Sequence, residues 1–209
     1  IGRLVGSEMC IRDRTDTLHG CDDGELYIED NVSESFLFDD GVLKNTSFNE
    51  HKGFGLRGVK EELVGYSHSS EFSIDALKEA SKTVSTVKSG HNSNSIVDPN
   101  RTNNKLYTDK NPLNVKDFSS KIKLLEDINS YARDYDNRVK QVSVNLSGSW
   151  QKVDILRPSG QELSDIRPLV RLNISVTLED KGKKETGSVG FGGRSVSYTH
   201  LRAHETTDN

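Results

Sequence analysis

The chain has 209 residues, 28 Lys and Arg against 32 Asp and Glu, and a formal net charge of −4, with both signs interspersed. Its hydrophobic fraction of 32% plus 17 glycines gives an apolar content of about 40%, below the usual ~45–50%. With 29% charged residues and only four prolines, these figures argue against a disordered chain, against the basic stripe of a nucleic-acid binder, and for one lean-cored domain or two small ones.

The ends come first. Residues 1–14 and 196–209 have the look of translated sequencing adapter and are expected to be artefacts rather than natural protein. Setting them aside removes Cys10 and leaves Cys21 alone, so no intrachain disulfide is expected in residues 15–195. It also removes a trap. His200 and His204, spaced i, i+4 and followed by Glu205, imitate a zinc helix, but Leu201 stands where a peptidase carries its general base.

Along residues 15–195, apolar alternation predicts short strands at 25–30, 33–39, 42–48, 53–59 and 63–68, an antiparallel meander. Gly53-Phe54-Gly55-Leu56-Arg57-Gly58 fits the letters of a dinucleotide fingerprint. That fingerprint needs a helix opening at its glycines, and none is predicted here, so a bulge or close backbone approach is the better reading. Ser73 then caps a helix over 74 to about 88, whose apolar stripe is Ile74, Leu77, Ala80, Val84 and Val87, with Phe72 placed to staple onto Leu77. Residues 91–112 form a polar loop and the sole internal boundary, between two sheet-plus-helix halves.

A second helix is expected over 115 to about 135, with Asn114 as its cap and Phe118, Ile122, Leu125, Ile128, Ala132 and Tyr135 on one face. Strands follow at 139–146, 150–156, 165–178 and 185–191. The strand at 165–178 has a strict period of two: Val170, Leu172, Ile174, Val176 and Leu178 alternate with Arg171, Asn173, Ser175 and Thr177. Pro168 cannot donate to a ladder and should mark this strand's start or an edge position. A turn is predicted at 180–183. The expected class is α+β, with antiparallel sheets of about eight to nine strands and two main covering helices.

Chemistry is sparse in this pattern. Arg167 and Arg171 share a strand face and could hold a carboxylate, or be paired with Asp165 or Glu162. The glycine-rich stretch 187–194, with Gly190, Gly192, Gly193 and Arg194, could let a peptide or another segment lie close to the backbone. His19, His51, His68 and His91 show no ligand spacing, so no catalytic and no metal residue is assigned.

Several of these stretches carry a resemblance. Asp165-Ile166-Arg167-Pro168-Leu169-Val170-Arg171-Leu172, followed by Gly187-Ser188-Val189-Gly190-Phe191-Gly192-Gly193-Arg194, resembles the N-terminal domain of the TldD/PmbA family of zinc metallopeptidases, the TldD branch above all. Residues 136–142, 146–148, 22–29 and 53–57 extend the likeness to roughly 20–195. The resemblance implies a parent enzyme whose zinc is held by a His-Glu-x-x-x-His helix, and no match to that motif occurs in this sequence. It therefore implies a fragment cut before its active site and inactive alone, serving as a scaffold and peptide-channel domain. Its expected partners are the missing C-terminal catalytic domain, a related subunit in a dimer and an unfolded peptide substrate. Cytoplasmic location is expected, with no membrane contact and no nucleic acid. The alternative is a non-enzymatic protein-interaction module with a gyrase-modulator-like role.

Overall fold

The computed structural model describes residues 21–85, 109–159 and 161–194. The two tails, the histidines at 19, 91, 200 and 204, and most of the polar loop 91–112 lie outside the described residues. The elements are β1 (Asp23–Asp39), β2 (Val42–Lys60), β3 (Leu63–Ser69), α1 (Ile74–Ser85), a 3-10 turn (Pro112–Asn114), α2 (Phe118–Tyr135), β4 (Val139–Leu156), β5 (Glu162–Asp180) and β6 (Lys183–Gly193). The strands form a single six-stranded sheet in the order β3-β2-β1-β4-β5-β6.

The α+β character, with two helices among the described residues, agrees with the sequence reading, and the strand number does not: the described residues form six strands, not eight to nine. Pairs expected at 25–30 and 33–39, at 42–48 and 53–59, and at 139–146 and 150–156 are each one continuous strand. The polar or small residues between them, such as Ser147-Gly148-Ser149, weaken the alternation without turning the chain. The chain turns where φ becomes positive: at Asp40-Gly41 (53° and 80°), at Glu61 (53°) and at Lys181-Gly182 (50° and 81°). Two consecutive positive φ angles give the tight hairpin whose twist suits the flanking strands.

The chain divides into two compact units, each built from several of these strands. Unit 1 takes residues 1–31, 51–105 and 152–165. Its core joins Leu26, Phe54, Leu56 and Leu156 of the strands to Leu77, Ala80 and Val84 of α1. Ser73 caps α1, its hydroxyl accepting from the Ala76 amide at 3.2 Å, and the Phe72 ring lies edge-on against Phe54 at 6.3 Å. Gly58 lies beneath this helix, and a Cβ there would fall 2.5 Å from Val84 Cγ1 and 2.8 Å from Cys21 Sγ. Beside the β2–β3 turn, Lys60 Nζ donates to Asp22 Oδ1 at 2.9 Å, and the other oxygen of Asp22 accepts from the Glu61 amide.

Unit 2 takes residues 32–50, 106–151 and 166–209. Phe36, Phe38, Val142, Val144, Leu146, Val170 and Leu172 supply alternate strand positions, and Leu125 of α2 completes that core. The N-cap of α2 is Asp117, which accepts from the Ser120 amide, rather than Asn114. Pro112 sets a 3-10 turn first, capped by Asn111, and Asn114 is the last residue of that turn. Lys121 reaches from α2 to both carboxylate oxygens of Glu34, at 2.6 and 2.8 Å, and to the Leu113 carbonyl at 2.8 Å. Pro168 does not mark the start of its strand: β5 begins at Glu162, and the proline is fully buried within it. The register with β6 ends at Val170↔Gly193, so the proline lies beyond the stretch paired with β6, where no amide is needed on that side.

Candidate functional site

The open side of the sheet in unit 1 carries a cleft of about 510 Å³. Residues 25, 27 and 29 of β1, residues 53, 55 and 57 of β2, and Tyr66 and His68 of β3 line it, with His51, Lys52, Ser69 and Ser70 among the rest. Alternation explains the composition, because Leu26, Phe54 and Leu56 point into the core and their neighbours are left outside. In the β2–β3 register, Gly55 faces His68 and Arg57 faces Tyr66. Tyr66 leans diagonally over Gly55, where a Cβ would come within 3.0 Å of its hydroxyl. Its ring stacks on His68 with centroids 5.9 Å apart.

The charges in the cleft are arranged in pairs. Arg57 lies 3.4 Å from Glu25 and 3.7 Å from Asp23, and Lys52 lies 3.3 Å from Asp30. Tyr27 donates its hydroxyl to Glu29 at 2.8 Å. The three glycines thus mark close approaches of different kinds, Gly53 to the Ser69 carbonyl, Gly55 to the Tyr66 side chain and Gly58 to Val84 and Cys21, and no helix opens at them.

The residues singled out from the sequence lie in unit 2, on β5 and β6. Register brings Arg171 opposite Gly192, Val170 opposite Gly193 and Asn173 opposite Gly190. A Cβ at Gly190 would meet Asn173 Oδ1 at 2.8 Å, and one at Gly192 would meet the Val170 carbonyl at 3.0 Å, so these glycines permit close packing against β5. Arg171 Nε donates to Asn173 Oδ1 at 3.3 Å on the exposed face. Arg167 is half-buried beyond the paired stretch, and Arg194 is exposed just past the end of β6. Four of the six residues are therefore neighbours, while Arg167 and Arg194 flank them.

Two features of unit 2 escaped the sequence. The Lys121–Glu34 pair is one. The other is Asp136, whose carboxyl is held down at about 2 by side-chain and backbone hydrogen bonds from Arg138. Asp117 is likewise lowered, by its hydrogen bonds from Ser120.

Among the described residues no three His, Cys, Asp or Glu side chains come together as a metal site would need. His51 and His68 both line the cleft, but no third donor converges on them, so these residues do not fit a catalytic zinc ion. No helix among the described residues is long and apolar enough to cross a membrane.

Two stretches of the chain match models of known families. Residues 24–87 match the model of the PmbA/TldA metallopeptidase domain 1, and residues 111–205 match that of the PmbA/TldA metallopeptidase central domain. The chain is 37% identical over 180 residues to a metalloprotease TldD homolog of Haemophilus influenzae, covering 83% of this chain and 36% of that protein. It is 34% identical over 187 residues to a metalloprotease TldD homolog of Buchnera aphidicola subsp. Schizaphis graminum, covering 85% of this chain and 37% of that protein. The chain thus spans little more than a third of the length of these curated relatives. A solved structure from Thermotoga maritima, provisionally named a modulator of a DNA gyrase, superposes with a TM-score of 0.71 at 13% identity, covering 90% of this chain and 43% of that one.

Proposed function

The chain belongs to the TldD/PmbA metallopeptidase family, and on that premise we propose that it is the scaffold and peptide-channel region of a TldD-like zinc metallopeptidase engaged in proteolysis and peptide maturation. The observation that supports this reading is strand β6. It stands last in the sheet and pairs with β5 alone, so its outer main-chain groups have no strand neighbour among the described residues. An extended, unfolded peptide can add to such an edge through main-chain hydrogen bonds. The glycines at 190, 192 and 193 keep side chains out of its way, and Arg167, Arg171 and Arg194 supply positive charge nearby.

Zinc belongs to this reading only through the whole protein. When bound, the metal would supply a water activated for attack on the peptide carbonyl. Its ligands are proposed to lie in sequence this chain does not contain, in a C-terminal catalytic domain. A related subunit in a dimer and a cytoplasmic setting complete the proposal. A second reading, a non-enzymatic interaction module acting as a gyrase modulator, draws on the same open edge.

The experiment is to incubate the purified chain with a zinc salt and an unfolded, fluorescently labelled protein. We expect no cleavage and no stoichiometric zinc, together with slowed amide exchange in β6 when the unfolded protein is added. Zinc-dependent cleavage by this chain would overturn the proposal. Reading the gene beyond residue 194 separates the two functions: a His-Glu-x-x-x-His motif supports the peptidase and a stop codon supports the module.

A further inference from the structure

The cleft of unit 1 has no part in the reading above, yet one of its carboxylates is left out of its ion pairs. Its lining carries Glu25 and Glu29 against Lys52 and Arg57, and Asp23, Asp30 and Arg157 enter only as partners in those pairs. Each base has an acid beside it: Lys52 has Asp30, Arg57 has Asp23 and Glu25, and Arg157 has Asp23 at 3.3 Å. Glu29 is the remainder. Among the described residues it faces no cation, and it accepts one hydrogen bond, from Tyr27.

The wall beside this spare carboxylate is aromatic. Tyr66 keeps 62% of its surface exposed while its phenol end lies over Gly55, and His68 extends the stack. A ring face attracts a cation, and a carboxylate accepts two parallel N–H bonds from a guanidinium. A flat cation satisfies both best, because a guanidinium can lay its plane on the ring while its edge forks to the carboxylate, which the compact charge of an ammonium cannot do. The volume of about 510 Å³ lies within the ~300–1,000 Å³ usual for ligand sites. The cleft also reaches β3, the other outermost strand of the sheet. A peptide laid along that edge would turn alternate side chains onto this open face.

We infer that the cleft binds an arginine side chain of an extended peptide, its guanidinium stacked on Tyr66 and paired with Glu29. The inference rests on the peptide-handling part of the proposed function and needs no hydrolysis. A peptide is favoured over the free amino acid because the latter would bring its own carboxylate among Glu25, Glu29 and Asp30.

The test titrates the isotopically labelled chain with a doubly blocked Gly-Arg-Gly peptide, its citrulline counterpart and free arginine, following amide resonances. Saturable shifts at Tyr27, Gly55, Tyr66 and His68 are expected with the arginine peptide. Citrulline, which keeps the shape and loses the charge, should bind at least about tenfold more weakly. Glu29→Gln can still accept from Tyr27, and should weaken the arginine peptide by a similar factor. Tyr66→Leu, a change at an exposed side chain, should weaken it too, and the spectra report whether each variant is folded. Equal binding of the two peptides, an unaltered affinity in Glu29→Gln, or free arginine binding as tightly as the blocked peptide would each overturn the inference. Peptide-induced shifts confined to β6 would overturn it as well, while leaving the scaffold proposal standing.

Discussion

Lys60 and Lys121 are both lysines whose charged ends have been nearly withdrawn from water, one in each unit. Side-chain exposure is 7% for Lys60 and 11% for Asp22, against 5% for Lys121 and 10% for Glu34. The first pair is local, since Asp22 holds both the lysine and the next amide and so fastens the strand entry to a hairpin turn. The second binds three separate segments: helix α2, strand β1 and the carbonyl of the 3-10 turn, with the Phe36 ring 5.7 Å from the ammonium. The difference teaches that a buried ion pair is to be judged by what its removal strands. Removing Lys60 takes one of two donors from Asp22; removing Lys121 takes the cation from Glu34 and a donor from the Leu113 carbonyl in one step.

The largest expected effect tests this directly. Lys121→Ala should lower unfolding stability by about 3–5 kcal/mol, because it leaves a carboxylate buried without its cation; urea titration measures it. Replacing the pair together, Lys121→Met with Glu34→Leu, should recover most of that loss. Lys60→Ala should lose less, about 2 kcal/mol, as for a hydrogen bond to a charged group. Equal losses in the two single variants would break the comparison.

A smaller effect sharpens it through the helices. Ser73→Ala and Asp117→Ala each remove a cap and should cost about 1 kcal/mol. If the units respond alike at their caps and unlike at their lysines, the difference belongs to the ion pairs and not to helix docking at large. The smallest effect is one of pH. The Asp136 carboxyl is depressed to about 2, below the ~3.9 of an unfolded aspartate. Its contribution is therefore present above about pH 4 and lost as pH falls towards 2. Asp136→Asn should flatten the acid limb of the stability profile over that window, with little change at neutral pH.

Much of the fold could be read from period and turn chemistry. The alternation of residues 170–178 became β5, the turn at 180–183 appeared with glycine at a positive φ, and Ser73 capped its helix. What failed did so for physical reasons. The weak alternation at Ser147-Gly148-Ser149 reads as a break, yet β4 runs straight through it, because neither a proline nor a positive φ turns the chain there. Lys121 lies three residues after Phe118 and four before Leu125, on the buried face, yet lysine by type reads as solvated. Phe118 and Tyr135, at the ends of the expected apolar stripe, remain 56% and 81% exposed. The cleft was illegible because Glu29, Gly55 and Tyr66 come from three strands, and only register brings them together.

Gly58 carries a consequence of another kind. The distance between helix and sheet in unit 1 is set by a methyl group that is absent, as a gauge block sets a gap. Because the atoms facing it belong to the fully buried Val84 and to the Cys21 sulfur, no larger residue can be accommodated by swinging a tip aside. Even the smallest substitution must lift the layer above, and a single codon there governs how closely α1 can lie on the sheet.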